Sequence, residues 1–277
     1  MVIRAAACQI PASVEHPGTA DVDAAVREAA SAGARLVVLP ELAFSGYVFR
    51  SAQEARDAAE GLDGPTAGYL KRLSLETGCV IVAGFCELGA DGLVYNSALT
   101  VESGELLDCY RKAHLWGQEP EFFTPGDAAP RVVETSAGRI AALICYDLEM
   151  AEWVRLAAQE GAEIIAAPCN WPLLPRPRGE RPLEVVKLQA AAGSYRVHIV
   201  AADRCGTERG VEWIGGSAIC ENSGYLAAGP ATGDEGPARR VILTADLDPG
   251  TSGNKALGPY NDVWRDRRPG LYSIGYS

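Results

Sequence analysis

The sequence is short of the residues that several protein classes need. It has no Lys/Arg-rich block, and its 25 Lys+Arg against 36 Asp+Glu leave a net charge of −11. That balance argues against a nucleic-acid surface. The basic cluster Arg265, Arg267 and Arg268 is interrupted by Asp266 and reads as a solvated or interface arm. No apolar run approaches the ~20 residues of a membrane span. The first residues, "MVIRAAACQIPASVE", lack a charged stretch followed by a long apolar one, so no secretory signal is read and a cytoplasmic protein is expected. There is no C-x-x-C pair among the eight cysteines, hence no metal-ligand spacing. In a reducing compartment they are expected to be free thiols, mostly buried and inert. Histidine is scarce too: His16, His114 and His198 are the only imidazoles. No internal repeat and no linker-like boundary interrupts the chain. One domain over 1–277 is expected, with a C-terminal arm from about 261.

What is present is enough for a large core: 277 residues, 48% of them hydrophobic. The segments 34–41, 79–87, 140–147, 163–170 and 197–206 are short, continuous apolar runs rich in Val and Ile, the pattern of strands buried on both faces. Helical patterns lie between them. Residues 21–33 place Val22, Ala25, Val26 and Ala29 on one face, with Gly33 as a stop. Residues 64–78 offer Thr66 as a cap and Gly78 as an end, and residues 150–161 place Met150, Val154 and Ala157 on one stripe. Strands alternating with helices mean an α/β protein. Two segments look like hairpins: 93–112, turning at "ESGE", and 215–229, turning at "ENSG". Residues 170–182 hold too much Pro for either element and read as a long, functional loop.

In open α/β sheets, ligands sit beyond the carboxyl ends of strands. The expected strand ends carry Glu41, Glu87, Lys112, Cys145 and Asn170. A free thiol is mostly protonated at neutral pH and needs a base or a positive field to attack a carbonyl. A helix starting near Met150 points its N-terminal dipole back toward Cys145. The base is open at this level. A Cys–His–Asp arrangement through His114 or His198 competes with a Glu–Lys pair. His198 lies in an apolar strand and reads as a packed core residue. His114 falls on the same side as Lys112 if that segment stays extended.

Four stretches in order, "LVVLPELAFSGY", "YNSALTVESGELLDCYRKAHLWG", "EPEFFTPGD" and "ALICYDLEMAE", resemble the signatures of the nitrilase superfamily of carbon–nitrogen hydrolases. The resemblance runs from "AACQI" to "GGSAICENSGYLAAG" and so covers nearly the whole chain. It implies a four-layer α-β-β-α sandwich, paired into a homodimer or higher homo-oligomer through its outer helices. It also implies a Glu–Lys–Cys triad with no metal or organic cofactor. On the matching positions, Glu41 is the general base, Lys112 the oxyanion partner and Cys145 the nucleophile. A second catalytic glutamate falls on Glu119, with Glu121 as its neighbour and competitor. Tyr47, Tyr146, Glu149 and Asn170 are candidates for substrate binding, Tyr146 through its backbone N–H.

The same resemblance bears on the substrate. True nitrilases follow the nucleophile with Trp-Glu, whereas this chain has Tyr146-Asp147, which resembles the amidase and carbamoylase side. Carboxylate-binding members place an Arg three or four residues after the Cys; here stand Leu148 and Glu149. An anion clamp is therefore absent there, and Glu149 faces either a substrate amine or, as a helix-start carboxylate, no ligand at all. The expected substrate is a small aliphatic or ω-amino amide, with N-carbamoyl compounds and nitriles as alternatives. The chain departs from the family at Met150-Ala151-Glu152 and at 191–195, positions that bear on substrate choice and subunit contacts.

Overall fold

Alternation of side chains along the first strand sorts them into two different cores. Ile3, Ala5 and Ala7 pack into one, Ala6 and Cys8 into the other, so both faces of this strand are covered. In the computed structural model, residues 1–232 and 238–272 are described. The chain runs β1 (Ile3–Gln9), α1 (Thr19–Ser31), β2 (Leu36–Val38), α2 (Ala52–Ala58), α3 (Pro65–Thr77), β3 (Val80–Leu88), β4 (Val94–Glu102) and β5 (Glu105–Arg111). It continues β6 (Val132–Thr135), β7 (Gly138–Ala142), α4 (Ala151–Gln159), β8 (Ile164–Pro168), α5 (Leu183–Tyr195) and β9 (His198–Ala202). A short ribbon β10 (Thr207–Glu208) and β11 (Val211–Glu212) follows, then β12 (Ala218–Cys220), β13 (Leu226–Ala228) and β14 (Val241–Leu247).

The strands form two six-stranded sheets, β14-β1-β2-β3-β4-β5 and β13-β12-β9-β8-β7-β6. Each has a parallel centre, β1-β2-β3 or β7-β8-β9, flanked by antiparallel strands. Leu36, Val38, Val80 and Val82 of the first sheet share one continuous core with Ile140, Ala142, Ile165 and Val200 of the second. The opposite face of the first sheet is covered by α1 and α3 through Val22, Val26, Leu70 and Leu73. Helices α4 and α5 join the second sheet through Val154, Val185 and Leu188. The result is the α-β-β-α sandwich. Both parallel centres present their carboxyl ends as ligand sites.

Local signals explain most of the elements. Helix α1 buries the expected Val22, Ala25, Val26 and Ala29. Helix α3 starts at Gly64 with Pro65 in its first turn rather than at a Thr66 cap, and Gly78 closes it in the left-handed conformation. The first hairpin turns at Ser103 and Gly104, both with positive φ, as a two-residue turn of a twisted ribbon requires. The strand expected over 34–41 spans only 36–38, and the one over 140–147 stops at Ala142. In each case the apolar run continues past the last ladder pair into a turn that carries Glu41 or Cys145.

Candidate active site

The residue after the apolar run of β7 is the focus of the site. Cys145 opens a 3-10 turn, Cys145–Glu149, and has φ +49°, a conformation that costs a non-glycine residue energy. Met150 breaks this turn from α4, so Cys145 faces the short turn's own N-terminus rather than that of α4. The thiol is buried and lies 3.8 Å from the Asn170 carbonyl. A hydrogen bond from the Cys169 thiol favours its ionisation, but burial and Glu41 outweigh that and raise its pKa. The thiol is therefore neutral at rest and needs a base.

Glu41 lies just beyond β2 and follows Pro40 onto the face of β3. There the backbones touch: a Cβ on Gly84 would stand 2.3 Å from the Leu42 nitrogen and 2.4 Å from the Pro40 oxygen. Glycine at 84 is what lets the Glu41 turn sit this low over the sheet. The Glu41 carboxylate is fully buried. One oxygen, Oε1, accepts from Asn96 Nδ2 at 2.6 Å and from Lys112 Nζ at 2.7 Å. The other, Oε2, has no partner. Burial raises the carboxyl pKa to about 7 even though Lys112 pulls it down.

Lys112 follows β5 at the edge of the same sheet. Its ammonium, buried, donates at 2.7 Å to both Glu41 Oε1 and Glu119 Oε1. Burial alone would lower its pKa; the two carboxylates outweigh burial and keep it charged. Glu119 is buried in a short 3-10 turn and accepts from the Tyr47 hydroxyl at 2.7 Å and the Trp116 backbone N–H at 2.8 Å. Its competitor Glu121 is exposed. Carboxylate, ammonium, carboxylate and thiol thus meet in a dry space, an arrangement able to move a proton and to hold a developing negative charge.

Other sequence-level candidates are placed elsewhere. Glu87 binds Arg111 at 2.6 Å and accepts from Ser97. His198 is a satisfied core residue, bonded to the Asp248 carbonyl and Thr251. His114 is not on an extended strand with Lys112. Its ring contacts Asp147 at 2.7 Å and meets Trp153 edge-on. Tyr146 and Glu149 share the Cys145 turn. The Glu149 carboxylate is ion-paired through one oxygen with Lys187 of α5.

Asn96, Arg204 and Trp213 were not singled out from the sequence, and Asp147 was named there without a structural role. Asn96 is a polar residue within an apolar strand, which is a usable signal. Asp147 ties the turn down by accepting from Tyr110 and from the Ile144 and His114 backbones. Arg204 follows the apolar strand β9 and is fully buried. Trp213 lies edge-on to Tyr47, with ring centroids 5.5 Å apart. Among the described residues, four buried side-chain polar atoms lack a partner: Glu41 Oε2, Asn96 Oδ1, Asn170 Nδ2 and Trp213 Nε1. No group of three or more His, Cys, Asp or Glu suited to a metal occurs among the described residues.

A two-sheet sandwich with a buried thiol between carboxylates and an ammonium defines a class of hydrolase. The chain belongs to the carbon-nitrogen hydrolase family, whose model matches residues 4–256, and it is a carbon–nitrogen hydrolase. It is 36% identical over 251 residues to a nitrilase of Pyrococcus abyssi, covering 89% of both chains. It is 32% identical to an N-carbamoylputrescine amidase of Arabidopsis thaliana, covering 90% of this chain and 86% of that one. Among solved structures, it resembles a nitrilase-superfamily amidase of Nesterenkonia with a TM-score of 0.76 and 26% identity, over 97% of this chain and 95% of that one. That amidase has been solved with butyramide, and with the acetamide moiety of fluoroacetamide added covalently at its active-site cysteine.

Proposed function

We propose that the chain is an amidase that hydrolyses a small aliphatic amide to a carboxylate and ammonia through a thioester on Cys145. One observation carries the reading: a buried neutral thiol beside a carboxylate whose second oxygen, Glu41 Oε2, has no partner. That oxygen is free to take the thiol proton. The thiolate attacks the amide carbon, and the carbonyl oxygen becomes an oxyanion. Lys112 and the Tyr146 backbone N–H donate to it. As the tetrahedral species collapses, Glu41 returns the proton to the departing amine. Glu41 then takes a proton from water, the hydroxide attacks the thioester, and the thiol leaves with that proton. Glu119 fixes the Lys112 ammonium between two carboxylates, and Tyr47 orients Glu119. The chemistry uses no metal or organic cofactor.

The substrate is read as neutral. Lys187 pairs with one oxygen of Glu149, which supports a neutral group there over an ω-amino group. Asn170 Nδ2 and Asn96 Oδ1 are a free donor and a free acceptor, the complement of an amide's carbonyl and NH2. A homodimer through the outer helices is part of the proposal; exposed Leu183 and Val186 on α5 support it, and sedimentation tests it. Free thiols at all eight cysteines fit a cytoplasmic enzyme.

The test is ammonia release from a panel of aliphatic amides, N-carbamoyl compounds and nitriles. Butyramide-like amides should turn over, and Cys145→Ala should abolish release while the chain stays folded. Cys79→Ala should retain activity. A Cys145→Ala protein that still turns over removes the thioester route.

A further inference from the structure

The guanidinium of Arg204 is buried beside the site and touches none of the reacting side chains. A guanidinium has five N–H donors, and all five are used. Nε donates to Asn170 Oδ1 at 2.9 Å. Nη1 donates to the Ala12 carbonyl and to Glu208, both at 2.8 Å. Nη2 donates to the backbone carbonyls of Glu41 at 3.0 Å and Leu42 at 2.9 Å.

Two of these contacts bear on chemistry. Leu42, directly after the candidate base, has φ +48°, a left-handed conformation that a leucine holds only when its surroundings impose it. Nη2 grips the carbonyls on both sides of that residue's nitrogen and alpha carbon. Asn170 is gripped by its side-chain oxygen, which settles the orientation of its amide. A flipped amide would set two donors against each other, so Nδ2 is the end left free, buried and without a partner. The backbone carbonyl of the same Asn170 accepts from the Cys145 thiol. Glu208 extends the grip by accepting from the Val14 and Tyr47 backbones. A buried ion pair is by itself poor support for stability, since apolar residues of similar volume do as well. Five donors in one fixed plane supply geometry instead, and a lysine could not replace them.

We infer that Arg204 is a positioning residue for the reaction, setting the Glu41 carboxylate and the free Asn170 amide group against the Cys145 thiol. This role rests on the amidase reading above. Arg204 aligns the base from behind its backbone and presents Asn170 as a donor to the substrate's carbonyl oxygen.

The experiment compares Arg204→Lys with the pair Arg204→Met/Glu208→Leu, which removes both buried charges together and so guards against a merely unfolded variant. The folded fraction is read from circular dichroism and the melting temperature, and kcat is expressed per folded molecule. Misplacement of a catalytic group on the scale of an ångström lowers the chemical step by about 10²-fold. Both variants should show that loss in kcat per folded molecule, with wild-type circular dichroism. Asn170→Ala should weaken kcat/KM in the wild-type background, yet add less than threefold to Arg204→Lys. A purely structural Arg204 would instead lower the melting temperature and the folded fraction and leave kcat per folded molecule unchanged, which overturns the inference. Effects of Arg204→Lys and Asn170→Ala that multiply in full overturn its action through Asn170. A wild-type protein that hydrolyses none of the amides overturns the reaction itself and this role with it.

Discussion

Replacing Lys112 with Met tests the charge balance of the site. The ammonium stands 2.7 Å from one oxygen of Glu41 and 2.7 Å from one oxygen of Glu119, and all three groups are buried. At an effective dielectric near ~20, each contact is worth about 6 kcal/mol of Coulomb attraction before desolvation is set against it. Without the ammonium, two carboxylate oxygens lie at most twice that contact distance apart in a dry space, and both cannot stay ionised. One takes a proton. The sign follows: Glu41 is already raised to about 7 by burial, with Lys112 as the main force pulling it down. Losing an opposite charge at this range moves a carboxyl up by about 1–3 pH units. Wild-type kcat/KM should therefore rise with pH through about 7, as the base loses its proton. In Lys112→Met that limb should move upward into the range of 8 to 10, roughly the same 1–3 units. Losing an oxyanion donor should separately lower kcat by about 10²–10³-fold. Ammonia release gives kcat, and the pH dependence of Cys145 alkylation by iodoacetamide gives the limb even where turnover is too slow to follow. A Lys112→Met enzyme with kcat within threefold of wild type, or with a limb that stays near pH 7, would refute the placement of this ammonium.

Three further substitutions test neighbouring parts of the site. Glu149→Gln should change KM for a neutral amide and for an ω-amino amide alike, because its partner is Lys187; a selective loss on the cationic substrate would restore the amine-binding role. Gly84→Ala should lower kcat at least about tenfold, because its Cβ would enter the Glu41 turn at 2.3–2.5 Å; full activity with an unchanged melting temperature would show that the turn has room to move. His114→Ala should retain turnover within about tenfold, since its ring supports Asp147 and meets Trp153, while the proposed base for the thiol is Glu41. Complete loss of thiol alkylation in that variant would favour a Cys–His pair.

The candidate groups were legible in the chain itself, and the roles of base, oxyanion partner and nucleophile were assigned among them only by the family resemblance. Glu41 and Cys145 each end an apolar run and Lys112 ends a strand-like one, and a polar residue at such an end is visible without coordinates. Helices covering a buried sheet were legible for the same reason, since continuous apolar runs need cover on both faces, whereas the pairing of two sheets into four layers came only from the resemblance. What the sequence could not supply was any distance between segments far apart along the chain. Glu149 illustrates this. Its position after Cys145 suggested a free carboxylate, and only the packing of α5 against that turn brings Lys187 onto it. Helix α5 itself was missed because it follows a proline-rich loop and buries only Val185, Leu188 and Ala192, too sparse a stripe for periodicity to single out. Arg204 lies 163 residues from Glu41 in the chain and reaches its carbonyl only because the two sheets pack face to face. Local sequence determines which groups reach a strand end; burial and tertiary contact decide which oxygen of Glu41 stays free, which end of Asn170 is a donor, and where the proton rests.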